Sequence, residues 1–262
     1  MQLKFFCPRW GSENLSWEAF MVKVKREGYD GIEYAIATDT TDAMLDEVWN
    51  LAEKNQLQIL PQHFDTNSPD FNRHFDLYAK WMERVKQYPH DKINSQTGRD
   101  IFSFEQNNAL IKLAGAGVIH ETHRGKFSFA AHITKPYLEA NPELQLTFDI
   151  SHWVNVAESY LEDQVEAVDL AISRTAHIHS RVGFPEGPQI PDPRLPEWQD
   201  AVNKHVAWWL KIAERYQEDE TLTITTEFGP FPYLTHKVSQ WDINVYMMAL
   251  LRKKLTPVSA RQ

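Results

Sequence analysis

Short runs of alternating apolar and polar residues are separated, along the whole chain, by longer runs whose apolar residues recur every three or four positions. The short alternation is the mark of a strand with one buried face, and the longer period that of an amphipathic helix. The pattern predicts strands over 3–7, 31–36, 57–62, 91–95, 118–122, 144–149, 175–179 and 222–227. It predicts helices over 17–27, 41–55, 70–88, 104–116, 131–140, 159–173, 197–217 and 239–253. The helix at 70–88 is the most regular, with Phe71, Phe75, Leu77, Tyr78, Trp81, Met82 and Val85 on one face. Gly28 ends the first helix as a glycine cap. Strands alternating with helices imply parallel pairing and right-handed crossovers, and eight such units close into a (β/α)8 TIM barrel. An open doubly wound sheet would carry a glycine-rich first turn, and Pro8-Arg9-Trp10-Gly11 is not one. No linker breaks the pattern, so residues 1–262 read as one barrel domain. The unusual connection is 182–196, where Pro185, Pro188, Pro191 and Pro193 forbid regular structure. A loop of that length after a strand suggests a lid or a wall of the site.

The strand ends carry the chemistry. His120-Glu121-Thr122-His123, Asp149-Ile150-Ser151-His152, His177-Ile178-His179-Ser180-Arg181 and Thr226-Glu227-Phe228-Gly229 each close a predicted strand. Alternation turns Leu144, Leu146 and Phe148 toward the helices, and Gln145, Thr147 and Asp149 inward. In the same way Thr175, His177 and His179 share a face, as do Thr223, Thr225 and Glu227, and Ile119, Glu121 and His123. Glu121, Asp149, His179 and Glu227 therefore sit at the C-terminal ends of barrel strands, where such folds build their sites. Three carboxylates packed together would raise one another's pKa, and a divalent cation removes that cost. Three oxygens and one nitrogen suit Mn²⁺, Mg²⁺, Co²⁺ or Zn²⁺. Around them, His63, His123, His152, Arg181, Trp10 and Trp153 are candidates for substrate contact. His177 is expected beneath His179 in a supporting role, and Glu33 is expected to brace the barrel wall.

Composition narrows the partners. A net charge of −9 disfavours a nucleic acid. The single cysteine, Cys7, rules out an internal disulfide and a thiolate zinc site. The first residues lack the apolar run of a signal peptide, and no stretch approaches about 18 uninterrupted apolar residues. A cytoplasmic protein without membrane contact is the expectation. The adjacent Trp208 and Trp209 diverge on a helix, which leaves room for a homo-oligomer contact.

These residues resemble the xylose isomerase-like barrel family, which includes sugar phosphate isomerases and epimerases. Gly28-Tyr29-Asp30-Gly31-Ile32-Glu33 is similar to the family's phrase before its second strand, and Asp149 with His152 reproduces its D-x-x-H. The resemblance puts Glu121, Asp149, His179 and Glu227 on the family's metal-ligand positions. In the family's ketose epimerases an arginine lies several residues beyond the metal histidine, whereas Arg181 lies two beyond His179. The implied activity is a metal-dependent sugar isomerase or epimerase. Glu121 and Glu227 would move the proton next to a carbonyl through an enediolate. The alternatives are a phosphodiesterase of the AP endonuclease type, with His63, Asp65 and His123 as extra ligands, and a dehydratase acting on a keto-sugar or inosose.

Overall fold

Residues 3–7 begin the barrel because Phe5 and Cys7 alternate with Phe6, so one face meets the helices and the other the interior. The computed structural model describes residues 1–235 and 237–256. Residues 236 and 257–262, which the expected domain of 1–262 includes, lie outside the described residues. The strands are β1 (Gln2–Pro8), β2 (Gly31–Ala35), β3 (Gln58–His63), β4 (Ile93–Ser95), β5 (Val118–Glu121), β6 (Gln145–Phe148), β7 (Thr175–His179) and β8 (Thr221–Thr225). All neighbours pair in parallel, and β8 pairs back onto β1, so the sheet closes as an eight-stranded barrel in chain order. The structure is a (β/α)8 TIM barrel.

The helices are α1 (Trp17–Arg26), α2 (Asp42–Lys54), α3 (Phe71–Val85), α4 (Phe104–Ala114), α5 (Ala131–Ala140), α6 (Ile150–Ala157), α7 (Val165–Ser173), α8 (Gln199–Ala213) and α9 (Gln240–Leu255). Side chains that prefer to bond a backbone amide start several of them. Ser16, Thr41, Asp70, Ser103 and Ser239 each accept from an amide in the first turn, and Ser103 and Gln106 form a reciprocal capping box. Gly28 follows the last turn of α1 with φ +85°, where a Cβ would be strained. No described helix is long and apolar enough to cross a membrane.

Two apolar layers result. The larger lies between barrel and helices and includes Phe5, Ile32, Leu146, Phe148, Ile178, Leu222 and Ile224. The smaller plugs the barrel interior with Phe6, Leu60 and Ile119, against which Ala176 packs. Above this plug the inward positions turn polar, and there the site begins.

Three details depart from the sequence pattern. Helix α6 was not expected; it starts directly after β6, and Glu158 (φ 49°) and Leu161 (φ 62°) separate it from α7. Strand β7 carries an irregularity, with Leu146 opposite Thr175 but Thr147 opposite His177. Strict alternation therefore fails there: Thr175 bonds the Ala171 carbonyl on α7, while Ala176 reaches the interior plug. The third is the 182–196 loop, which contributes no residue to the lining of the barrel-mouth cavity. It folds down instead. Ile190 donates to the Val182 carbonyl, and Gln189 exchanges two hydrogen bonds with the backbone of Gly229. Gly183 packs against Ser151 of α6 so closely that a Cβ would lie 2.9 Å from its backbone. The expected lid is a packed strap on the barrel rim.

Candidate active site

A cavity of about 610 Å³ opens at the C-terminal ends of the strands. Its walls include Trp10, Trp17, Tyr34, Gln62, His123, Arg124, Arg181, Glu227 and Tyr233. Trp10 follows β1, as the sequence suggested, and stands edge-on to Tyr233. Gly229 makes room for its ring, since a Cβ there would lie 2.2 Å from the indole. A larger hollow of about 870 Å³ lies elsewhere on the surface, between α2, β3 and the 88–91 turn, and holds none of the converging strand-end residues.

Glu121, Asp149, His179 and Glu227 converge below the cavity. Each offers a ligand atom within 4.8 Å of the others, and all four residues are buried. His179 Nδ1 lies 2.9 Å from Glu227 Oε2 and 3.7 Å from Glu121 Oε1. The other nitrogen, Nε2, lies 2.9 Å from Glu33 Oε2. A carboxylate acceptor holds a ring proton on Nε2, which leaves Nδ1 as the atom facing the other two glutamates. Glu33, expected as a wall brace, is thus the orienting partner of His179, and Asn94 Nδ2 donates to its Oε1 at 2.7 Å. Gln62 and Asn94 donate to Glu121 Oε2 at 3.1 and 3.3 Å, which fixes that carboxylate.

Whether a cation fits is decided by what remains unbonded. Glu121 Oε1, His179 Nδ1 and Glu227 Oε2 are buried and, among the described residues, have no well-aligned hydrogen-bond partner. Buried polar atoms are ordinarily paired, so three orphans aimed at one another are the residue of a missing partner. Asp149 differs: its Oδ2 accepts from Arg181 Nη2 at 2.6 Å, and its Oδ1 accepts from Ser151 N at 3.1 Å and from the Ser151 hydroxyl. Among the described residues two further sets offer three ligand atoms, Glu33 with His177 and His179, and Glu121 with His123 and His152. In the first, His177 is satisfied by Thr223 and Thr225, and Glu33 by Asn94 and His179. In the second, His123 donates to the Arg124 carbonyl and both nitrogens of His152 face arginines. The four-residue set brings all three vacant atoms together, and its O₃N chemistry suits a divalent cation.

The electrostatics agree with a site short of positive charge. Burial alone would raise the Glu121 carboxyl, but the neighbouring His179 overrides it and holds Glu121 down at about 2. Burial pushes Glu227 up, against the pull of His179 and Arg181. Burial would depress His179, yet Glu227, Glu33 and Glu121 together raise it well above its ordinary value.

The other expected residues fall into two groups. His123 lines the cavity and lies against His152, with ring centres 4.0 Å apart, and burial lowers it to about 4. His152 is fully buried, 3.6 Å from Asp149. Arg181 is buried and bonded to Asp149. His177 lies beneath His179, as expected. Two expectations need correction. His63 points out of the barrel: its ring packs on Tyr78 and Trp81 of α3, and Nε2 bonds Thr66 at 2.8 Å. Trp153 is a core residue, packed on Phe148, with its indole N–H given to the Ser128 carbonyl. Neither lines the cavity, and nor does His152, whose two nitrogens face arginines instead. Gln62, Asn94, Arg124 and Tyr233 were not anticipated. For Gln62 and Asn94 the signal was present, since both occupy inward positions, Gln62 two residues after Leu60 in the plug.

No family model matches the chain, and no curated protein matches it. Solved structures do. D-psicose 3-epimerase from Clostridium cellulolyticum H10 aligns over 98% of this chain and 100% of its own, at 14% identity and TM-score 0.60. A xylose isomerase domain containing protein from Salmonella typhimurium LT2 aligns over 97% of each chain, at 16% identity and TM-score 0.64. An AP endonuclease of family 2 from Brucella melitensis aligns over 95% and 98%, at 10% identity and TM-score 0.52. At such identities the likeness shows the fold alone: the chain shares the TIM barrel of these proteins.

Proposed function

We propose that the chain is a divalent-metal-dependent isomerase or epimerase of a sugar or sugar-like hydroxyketone. The observation that carries this reading is the convergence of Glu121, Asp149, His179 and Glu227, with three of their donor atoms unpartnered, at the floor of the 610 Å³ cavity. When bound there, a divalent cation supplies Lewis acidity toward a carbonyl and its neighbouring hydroxyl, worth several kcal/mol.

The chain's own groups do the rest. Glu227 borders the cavity and can take a proton from the carbon beside the carbonyl. Glu121 comes from β5 and Glu227 follows β8, so the two carboxylates flank His179 of β7 from different strands. A planar enediolate between them gains its proton from the face opposite the one that lost it, which inverts the carbon. Return of the proton to the adjacent carbon gives an aldose–ketose isomerase instead. Gln62 and Asn94 hold Glu121 in one orientation, so little reorganisation is needed at the moment of transfer. Trp10, Trp17 and Tyr233 offer apolar surface to sugar C–H faces and keep water away.

The phosphodiesterase alternative requires further metal ligands. His63 faces outward, and Asp65 accepts from the amide and hydroxyl of Thr38. Two of its three added donors are therefore turned elsewhere. A dehydratase starts with the same proton abstraction and differs in releasing water.

The test is solvent exchange in D₂O with the Mn²⁺-loaded protein and a ketose panel. We expect deuterium at the carbon next to the carbonyl, falling by about 10²–10⁴-fold in Glu121→Gln and in Glu227→Gln. Exchange that survives both substitutions overturns the assignment of the acid/base pair.

A further inference from the structure

We propose that the cavity selects a sugar bearing an oxyanion, a carboxylate or a phosphate, which Arg124 binds. The inference rests on the sugar-converting function above and names the class of sugar as acidic. Three arginines line the cavity. Arg9 gives its guanidinium to the carbonyls of Ser12 and Leu15 and lies over the Trp17 ring. Arg181 is neutralised by Asp149. Arg124 is different. Among the described residues it pairs with no carboxylate; its Nη2 donates to Tyr233 Oη at 2.8 Å, and its Nη1 lies 2.9 Å from His152 Nδ1.

The contact with His152 is the informative one. Arg181 Nη2 lies 2.6 Å from the other ring nitrogen, Nε2. A neutral imidazole has one acceptor nitrogen and a protonated one has none, whereas each guanidinium brings only donors. In every protonation state, then, at least one arginine N–H points at another N–H. A donor left facing a donor in a partly buried cluster is costly, and two cations share one ring. An anionic oxygen from the cavity side relieves both, because Arg124 can turn its Nη1 edge to it while Tyr233, which accepts from Arg124, still has a hydroxyl proton to give. The carboxylates that also border the cavity are occupied or lower down: Glu13 takes the Gly11 amide, Glu33 takes His179 and Asn94, and Glu227 lies beside His179. The site is a guanidinium fork, which takes a planar carboxylate or a phosphate.

The experiment is calorimetric binding of D-fructose, D-fructose 6-phosphate and D-fructuronate to the metal-loaded protein, with Arg124→Gln and Arg124→Lys as variants. We expect at least one acidic sugar to bind about 10-fold or more tightly than D-fructose. That advantage, taken as the ratio of the acid's affinity to that of D-fructose in the same variant, should vanish in Arg124→Gln and return in part in Arg124→Lys; the tighter acid identifies the anion. Equal binding of the three, no binding of either acid, or an advantage that persists in Arg124→Gln overturns the proposal. Binding is read without turnover, so an anion preference lost with Arg124 stands even if solvent exchange fails. Exchange without any preference sinks only the anion site.

Discussion

His179 has two ring nitrogens with separate tasks, and Glu33 is what separates them. The Glu33 carboxylate fixes the proton on Nε2 and so presents Nδ1 to Glu121 and Glu227. Replacing Glu33 by Gln removes the charge that holds this tautomer. Mn²⁺ affinity should fall about 10–100-fold, measured by titration, with the fold intact by circular dichroism. His63 gives the converse prediction. His63→Ala should cost about 1–3 kcal/mol in urea unfolding, because it leaves the Thr66 hydroxyl unpaired and a gap beside Tyr78 and Trp81. The KM of the exchange reaction should not move. The strand-end positions of Glu121, Asp149, His179 and Glu227 were legible because each acid or imidazole stands at an inward position at the close of a predicted strand. His63 was misjudged by taking the last residue of β3 as a site residue by default. Counting in steps of two from Leu60 leads to Gln62 inside and His63 outside. Arg124 and Tyr233 had no comparable signal, since their meeting depends on two loops 109 positions apart.

Helix α6 shows why element boundaries were harder to read. β6 ends at Phe148 and the next residue, Asp149, is already the N-cap of α6, so the helix starts directly on the strand's end. The D-x-x-H spacing is therefore helical, and one turn brings His152 to 3.6 Å from Asp149. A strand reading extended to Asp149 hides this helix, and eight residues are too few for a clear period. The 182–196 strap was legible as irregular but not as packed, because its anchors lie far away in the chain. One of them is His205 of α8. Its Nδ1 donates to the Ala201 carbonyl at 2.8 Å, and its Nε2 accepts from Gly183 N at 3.1 Å. Burial lowers His205 from 6.5 to about 4, so the fold favours the neutral ring. The sign follows. The stability it contributes is complete above pH 6.5, declines as the pH falls from 6.5 to about 4, and changes no further below. Urea midpoints across that window should fall more steeply for the wild type than for His205→Gln. Parallel curves would show that the strap is not held through this ring.

The whole molecule places an acidic floor inside a closed barrel, beneath which Phe6, Leu60 and Ile119 exclude water. That burial is costly for carboxylates unless a cation joins them. The barrel itself was plain in the alternation of strands and helices, since eight repeats leave few other ways to bury eight two-sided strands. The substrate was not, because specificity comes from loops that meet only in three dimensions. Stability should therefore respond to metal. Saturating Mn²⁺ at about 100 times its Kd should stabilise the fold by about 2.7 kcal/mol, visible as a rise in Tm that EDTA reverses. The most direct measurement is anomalous diffraction from crystals soaked in Mn²⁺. A strong peak is expected at bonding distance from Glu121, Asp149, His179 and Glu227. A featureless map there, or a peak confined to another set of residues, would contradict it.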